Sequence, residues 1–124
     1  MEFLRLRGRK ICSRVGAQGR LFRGKVMTVR WLSGAPRHPA ADPAIPALYV
    51  GVVASAKLDK SAVKRNRMRR RCREALRIAT KDLPGKASIQ LLIFPMSASL
   101  KCAFPEIASD VRAFLTTLPH AAEE

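Results

Sequence analysis

The side chains best suited to chemistry in this chain are phosphate binders, concentrated between residues 57 and 81. Eleven of these residues are Lys or Arg, and only Asp59 and Glu74 are acidic. Arginine predominates, and its planar guanidinium group can make two parallel hydrogen bonds to one phosphate. The segment therefore predicts a surface that binds a polyanion, and the net charge of +15 favours nucleic acid as that polyanion.

An apolar stripe runs through the same segment and predicts a helix. Its members recur at the spacing of one helical face and are Met68, Cys72, Ala75, Leu76 and Ala79. We expect the helix to cover about residues 60–82, with Ser61 as its N-cap and Leu83-Pro84-Gly85 as its stop. The outward face would carry Asn66, Arg70, Arg73, Arg77 and Lys81.

Like charges three or four residues apart, such as Arg67 and Arg71, destabilise this helix by a few tenths of a kcal/mol per pair. That cost is understandable if a polyanion completes the surface. The alternatives are a solvated basic helix, or a disordered nuclear-targeting or membrane-surface tail. A tail needs no buried stripe, so the stripe argues against it.

A second basic stretch lies between residues 5 and 30, with Glu2 as the only acid nearby. Its basic members are Arg5, Arg7, Arg9, Lys10, Arg14, Arg20, Arg23, Lys25 and Arg30. Phe22 and Trp31 lie within or beside it, and aromatic rings beside basic groups can stack on unpaired bases at ~1–3 kcal/mol each. Packing of both rings in the core is the alternative.

Residues for a protein-borne active site are lacking in the sequence. His38 falls in a proline-rich loop and His120 in the tail, the few acids are scattered, and neither GxGxxG nor a P-loop is present. The three cysteines are far apart and form no CxxC, which predicts reduced, buried thiols rather than a zinc site or a disulfide framework. No apolar run approaches the ~18 residues of a membrane span, and no apolar signal core follows the first charges, so we expect a cytoplasmic protein.

The order of predicted elements indicates an α+β fold in one RNA-binding domain, residues 1–124. We expect a two-layer sandwich in the order α-β-β-(β)-α-β-α, with the short extra strand near Leu21-Phe22. The helices are expected over about 9–17, 60–82 and from Pro105 at N1, and the strands over 21–32, 48–54 and 87–94. A mobile proline-rich loop is expected over 33–47 and a frayed tail over 119–124.

The stretch AKLDKSAVKRNRMRRRCREALRIATKDLPG resembles the signature of the protein component of bacterial ribonuclease P. Arg65-Asn66-Arg67 matches the family's core triplet, and Arg73-Glu74 matches the later pair. Upstream, RLRGRKICSRVGAQGRLFRGKVMTV is similar to the family's N-terminal pattern of a basic helix, a Gly-Arg and a strand. The resemblance covers roughly residues 4 to 118.

The resemblance implies a left-handed crossover through the Arg-Asn-Arg helix and a division of labour with a catalytic RNA subunit. That RNA would carry Mg²⁺ and hydrolyse the phosphodiester, while the protein would bind no cofactor or metal and supply no catalytic residue. Its partners would be the RNA subunit and precursor tRNA, with no membrane and no obligate protein partner. The expected contacts to the RNA subunit are Lys57, Lys60, Lys64, Arg65, Asn66, Arg67, Arg69, Arg70, Arg73 and Arg77.

The single-stranded 5′ leader of precursor tRNA would lie between the N-terminal helix and the sheet. The expected leader contacts are Arg7, Arg9, Arg14, Phe22, Lys25, Arg30 and Trp31.

The sequence departs from the family pattern at two places. Ala56-Lys57 keeps one lysine of a pair that often follows the buried strand. Two aromatic residues usually face the leader from the first helix, and Cys12 and Gly16 stand at those positions. Two alternative hypotheses for the function are a ribosomal or other structural rRNA-binding protein, and an autonomous nuclease.

Overall fold

The computed structural model describes residues 1–81, 83, 85 and 87–118. These residues form five strands, three α-helices and a short 3₁₀ helix at Ser97–Leu100. The strands are β1 (Glu2–Arg5), β2 (Arg20–Arg23), β3 (Met27–Ser33), β4 (Ala47–Val52) and β5 (Ile89–Pro95), and the helices are α1 (Arg9–Gln18), α2 (Ala62–Thr80) and α3 (Phe104–Thr116).

One mixed sheet joins all five strands in the order β1-β4-β5-β3-β2. β4 lies parallel to both β1 and β5, and the β5–β3 and β3–β2 pairs are antiparallel. Because β4 and β5 are parallel neighbours, the chain must cross from one end of the sheet to the other between them, and α2 makes that crossing. The α+β class is therefore confirmed. The left-handedness of the crossover stays a prediction from the resemblance.

Helices cover both faces of the sheet. Leu91 and Ile93 of β5 belong to a core cluster shared with α2 and α3, while Leu92 belongs to a second cluster shared with Val15 of α1. The expected two-layer arrangement is therefore wrong, because α1 packs alone on the face opposite α2 and α3. The physical reason is that β4 and β5 are apolar on both faces, so each face needs a cover.

The first strand is absent from the predicted order. β1 carries no alternating burial of its own, and its backbone pairs with a strand 45 residues later, as in the pairing of Phe3 with Leu48. Such a strand depends on its partner rather than on its own pattern. The short strand predicted near Leu21-Phe22 is confirmed as β2.

The proline-rich stretch is confirmed as an irregular connection. It links β3 to β4, which are not neighbours, since β5 lies between them. Local bonds shape it: Ala40 N donates to His38 Nδ1 at 3.0 Å, and Ala44 N donates to Asp42 Oδ1 at 2.9 Å. Its mobility stays a prediction, and the tail over 119–124 and Pro84 of the helix stop lie outside the described residues.

A buried carboxylate ties α3 to the turn between β2 and β3. Asp110 is 5% exposed and accepts hydrogen bonds from the backbone N–H groups of Val26 at 2.7 Å and Lys25 at 3.0 Å. A Cβ added at Gly24 would lie 2.4 Å from Asp110 Oδ2, so only glycine leaves room for the carboxylate. α3 itself begins at Phe104, which puts Pro105 at N2 rather than the expected N1.

Replacing this carboxylate by an amide is expected to destabilise the fold. In Asp110→Asn the amide oxygen can serve one of the two N–H groups, but the amide nitrogen would then face the other donor. We expect the free energy of unfolding to fall by ~1–3 kcal/mol, measured by urea denaturation. Asp42→Asn is the matched control, since Asp42 is exposed and accepts one local bond. Equal unfolding midpoints for both variants would contradict the role given to Asp110.

Candidate nucleic-acid interface

The basic helix α2 is anchored by its apolar stripe, as predicted. Met68, Cys72, Ala75 and Leu76 are each no more than 2% exposed and lie beneath the helix. Ser61 is the N-cap: its Oγ accepts from Lys64 N at 3.3 Å. Burial raises the pKa of the Cys72 thiol to about 11, so this sulfur stays protonated at neutral pH.

Three arginines of α2 turn toward the protein, and each donates to backbone carbonyl groups. Arg65 Nη1 donates to Asp59 O at 2.9 Å and Lys60 O at 3.0 Å, which fixes the loop before the helix. Arg69 reaches the end of β4 and donates to Val52 O and Ala54 O, both at 3.4 Å.

Arg71 binds the other side of the helix. Its guanidinium donates to Ser99 O and Cys102 O, and so holds the 3₁₀ helix against α2. A carbonyl oxygen satisfies a guanidinium donor without neutralising its charge. The full positive charge of all three arginines therefore remains at the helix surface.

The other basic side chains of the predicted RNA-subunit surface point away from the core. Arg73 is half-buried, with its guanidinium carbon 5.7 Å from the centroid of the Phe3 ring. Among the described residues the single ion pair joins Arg77 to Glu74 on the same helix, and this hydrogen bond lowers the pKa of Glu74. The exposed members of the surface are Lys57, Lys60, Lys64, Asn66, Arg67, Arg70 and Arg77.

The second basic stretch is divided by the fold. Arg7, Arg9 and Arg14 are exposed at the start of α1 or along it, on the face of the sheet opposite α2. Arg30 is half-buried, and its Nη1 donates to Gly19 O at 3.2 Å. Lys25 lies in the turn held by Asp110, beside α3.

The two aromatic residues predicted to contact the leader lie on the wrong face. Trp31 is 4% exposed within the core cluster under α2 and α3, and Phe22 packs edge-to-face on Phe114 of α3 with 5.6 Å between ring centroids. A base cannot reach a buried ring, so the stacking role predicted for Trp31 is wrong. Because Phe22 packs against the same core, the α1 side of the sheet has no access to it either. Core packing, the alternative stated for both rings, is what the structure shows.

The face that α1 covers has another aromatic residue, which the sequence interpretation missed. Phe94 is half-buried and, like Ile11 and Cys12, packs against the cluster that includes Leu92. The alternation of β5 puts Phe94 on the same side as Gln90 and Leu92. That alternation was present in the sequence, but a nearly continuous apolar strand hides which side each residue faces.

A groove, here called the α1 groove, runs between α1 and the proline-rich loop. It encloses about 240 Å³ and is lined by Lys10, Ile11, Arg14, Arg37 and Gln90. Arg37 is an addition to the predicted site, contributed by the loop. Cys12 lies half-buried near this groove. A Cβ added at Gly16 would meet the Leu92 side chain at 3.9 Å. Neither position carries an aromatic ring, so α1 offers none to the leader.

Two kinds of site are lacking in the part of the chain that the structure describes. It contains no group of three or more His, Cys, Asp or Glu side chains placed to hold a metal ion. Within the same residues, no helix combines the length and apolarity that crossing a membrane requires. The geometry offers two basic surfaces on opposite sides of one sheet.

Comparison with known families and proteins agrees with this geometry. The family model described as Ribonuclease P matches residues 2–119. The ribonuclease P protein component of Synechococcus sp. (strain JA-2-3B'a(2-13)) is 40% identical over 77 residues, which is 62% of this chain and 56% of that protein. The protein of the same name from Thermus oshimai is 50% identical over 60 residues, 48% of this chain and 32% of that protein. The matched region thus spans about half or less of these relatives.

Solved structures show the same fold. The ribonuclease P protein from Thermotoga maritima superposes with a TM-score of 0.71 at 18% identity, covering 92% of this chain and 96% of that one. The Staphylococcus aureus ribonuclease P protein superposes with a TM-score of 0.68 at 16% identity, covering 91% and 93%. At these identities the likeness concerns the fold alone.

Two arginines one turn apart on α2 are expected to respond differently to truncation. Arg67 is exposed, so Arg67→Ala should change the free energy of unfolding by less than ~0.5 kcal/mol. Arg71→Ala removes donors from two carbonyl groups and should cost ~1–3 kcal/mol. Urea denaturation of both variants measures the difference. A destabilised Arg67→Ala would show that this side chain supports the fold rather than faces a partner.

Proposed function

Because this chain belongs to the ribonuclease P protein family, we propose that it is the protein subunit of a ribonucleoprotein that removes the 5′ leader from precursor tRNA. The outer face of α2 carries the proposal. There Lys64, Arg67 and Arg70 are exposed, and no ion pair neutralises them within the described residues. A helix that keeps so many like charges on one face gains stability when a polyanion covers that face.

The outer face of α2 would dock on the RNA subunit. The exposed arginines and lysines suit phosphate contacts, which release counterions and make binding strongly dependent on salt. Arg65 and Arg69 use part of their donors on carbonyl groups, but a guanidinium has five N–H groups, so donors remain for RNA. In this proposal both residues shape the docking face and contact the RNA as well.

The α1 groove would hold the single-stranded leader. Lys10, Arg14 and Arg37 line it and suit the leader's phosphates. Phe94, in the neighbouring apolar cluster, is the aromatic residue best placed to stack on a base. The exposed Arg7 and Arg9 would extend the same basic path beyond the start of α1.

The reaction itself would be carried out by the RNA subunit with its Mg²⁺ ions. The protein's part would be to neutralise phosphate repulsion and to hold the leader near the cleavage site. His38 has its Nδ1 occupied by the bond from Ala40 N in the proline-rich loop, and no acidic side chain of the described residues is paired with it for acid–base work. The alternative of a ribosomal rRNA-binding protein gains no support from the comparisons. A ribonucleoprotein of this kind would act in the cytoplasm.

Reconstitution with the organism's own RNA subunit tests the proposal directly. We expect the full chain to restore leader removal from precursor tRNA at Mg²⁺ concentrations where the RNA alone is inactive, because the basic faces replace counterions. Arg67→Ala should weaken assembly and reduce the salt slope of binding by about one. Arg112→Ala, an exposed arginine of α3, is the matched control. Absence of any gain over RNA alone would count against the proposal.

Leader recognition predicts a selective effect at Phe94. Phe94→Leu keeps the apolar packing but removes the ring, and should cost about 1 kcal/mol or more in affinity for precursor tRNA. Binding of mature tRNA, which has no leader, should stay unchanged. Ile78→Ala on α2 is the control, since Ile78 is 53% exposed and α2 covers the face of the sheet opposite α1. Equal losses for both tRNA forms would place Phe94 in the core alone.

A further inference from the structure

An apolar pocket with a basic rim lies where α2 begins, at the border of the basic α2 surface described above. It is formed by the first turn of α2 and the end of the 3₁₀ helix, with Val63 and Leu100 as its apolar lining. Lys64, Arg67 and Lys101 surround it. The pocket holds about 310 Å³, at the small end for ligand sites, which suits one planar ring system rather than a helix or a protein domain.

Val63 is the unusual residue of this pocket. It is 76% exposed, the largest exposed fraction among the chain's exposed large apolar side chains. A β-branched apolar side chain gives an exposed first helical turn little stability. A ligand that covers the Val63 side chain would therefore remove apolar surface from water, and three basic side chains surround that surface.

The pocket is held open by bonds on its inner side. Arg71, one turn after Arg67, donates to Ser99 O and Cys102 O. Ser99 N donates to Met96 O at 2.9 Å, and Cys102 N donates to Ala98 O at 3.1 Å. These bonds fix Leu100 opposite Val63 before any ligand arrives, so the ordering cost of binding is small.

We propose that this pocket receives one unstacked nucleobase of the RNA subunit, with the Arg67 guanidinium against the base and Lys64 and Lys101 on the flanking phosphates. The inference rests on the function proposed above and adds a contact with a base to a phosphate-binding face. Splayed bases in RNA loops and bulges present a flat apolar surface that stacks on guanidinium planes, next to a negative backbone. A second copy of this chain fits poorly, because its own cations would face the same rim.

Affinity measured against salt separates a base contact from a phosphate contact. Val63→Ser should weaken binding of the RNA subunit about three- to tenfold, and leave the salt slope unchanged because no phosphate contact is lost. Lys64→Ala, which removes a proposed phosphate contact at the same rim, should instead reduce the slope by about one. Ile78→Ser is the matched control: Ile78 is 53% exposed on the same helix and lies outside the pocket. Urea midpoints equal to the wild-type value would show that the variants fold.

The base is then identified by photocrosslinking from benzoylphenylalanine at position 101 to the RNA subunit. We expect the crosslink to map to one unpaired nucleotide. An abasic substitution at that nucleotide should weaken RNA binding by the wild-type chain three- to tenfold. The same substitution should leave the affinity of the Val63→Ser variant unchanged, because that variant has already lost the contact. If the wild-type chain binds the RNA but Val63→Ser binds equally well, or if the crosslink falls on paired nucleotides, the pocket inference is wrong and the proposed function stands. If the wild-type chain does not bind the RNA subunit, both are wrong.

Discussion

The structure depends on how a helix with eight arginines and lysines between residues 62 and 80 is held in place with almost no acidic partner. Within the described residues its single ion pair joins Arg77 to Glu74, and both residues belong to the helix itself. The helix is held on the protein mainly by burial of its apolar stripe and by hydrogen bonds from Arg65, Arg69 and Arg71 to backbone carbonyl groups. Carbonyl groups satisfy donors but leave the charge intact, so the fold keeps the electrostatic potential that a nucleic acid would meet.

The hydrogen bonds of these three arginines also connect α2 to the elements around it. Arg69 joins α2 to the end of β4, and Arg65 joins it to the loop between them. Arg71 joins α2 to the 3₁₀ helix before α3. Each side chain serves both the fold and the charged surface, so removing one affects stability and electrostatics together. Arg67, which faces solvent, separates the two effects.

The sheet divides the basic residues into two surfaces with different partners in our proposal. α2 and α3 cover one face with a large apolar cluster, and α1 covers the other with a smaller one. A folded RNA on the α2 side and a single strand in the α1 groove would then be bound by one small protein without competing for residues. Trp31 and Phe22 lie in the larger cluster, which leaves the α1 groove to rely on arginines, Lys10 and Phe94.

Much of the candidate site followed from local pattern. The spacing of Met68, Cys72 and Leu76 predicted α2, and its outward charges, because helical periodicity is a local property of the chain. The α+β class and the proline-rich connection followed in the same way. The resemblance around Arg65-Asn66-Arg67 predicted the family, because the triplet lies on a helix that follows a buried strand and precedes a Leu-Pro stop.

Tertiary structure decided what depends on distant partners. β1 forms because β4, more than 40 residues later, offers a free edge, and the sequence of β1 shows no pattern of its own. The face on which Trp31 and Phe94 lie depends on which helix covers each side of a strand that is apolar on both sides. The sequence also did not show which arginines bind backbone carbonyl groups and which face solvent. The partners of a guanidinium depend on which segments of the chain meet in space, whereas composition gives only the total charge.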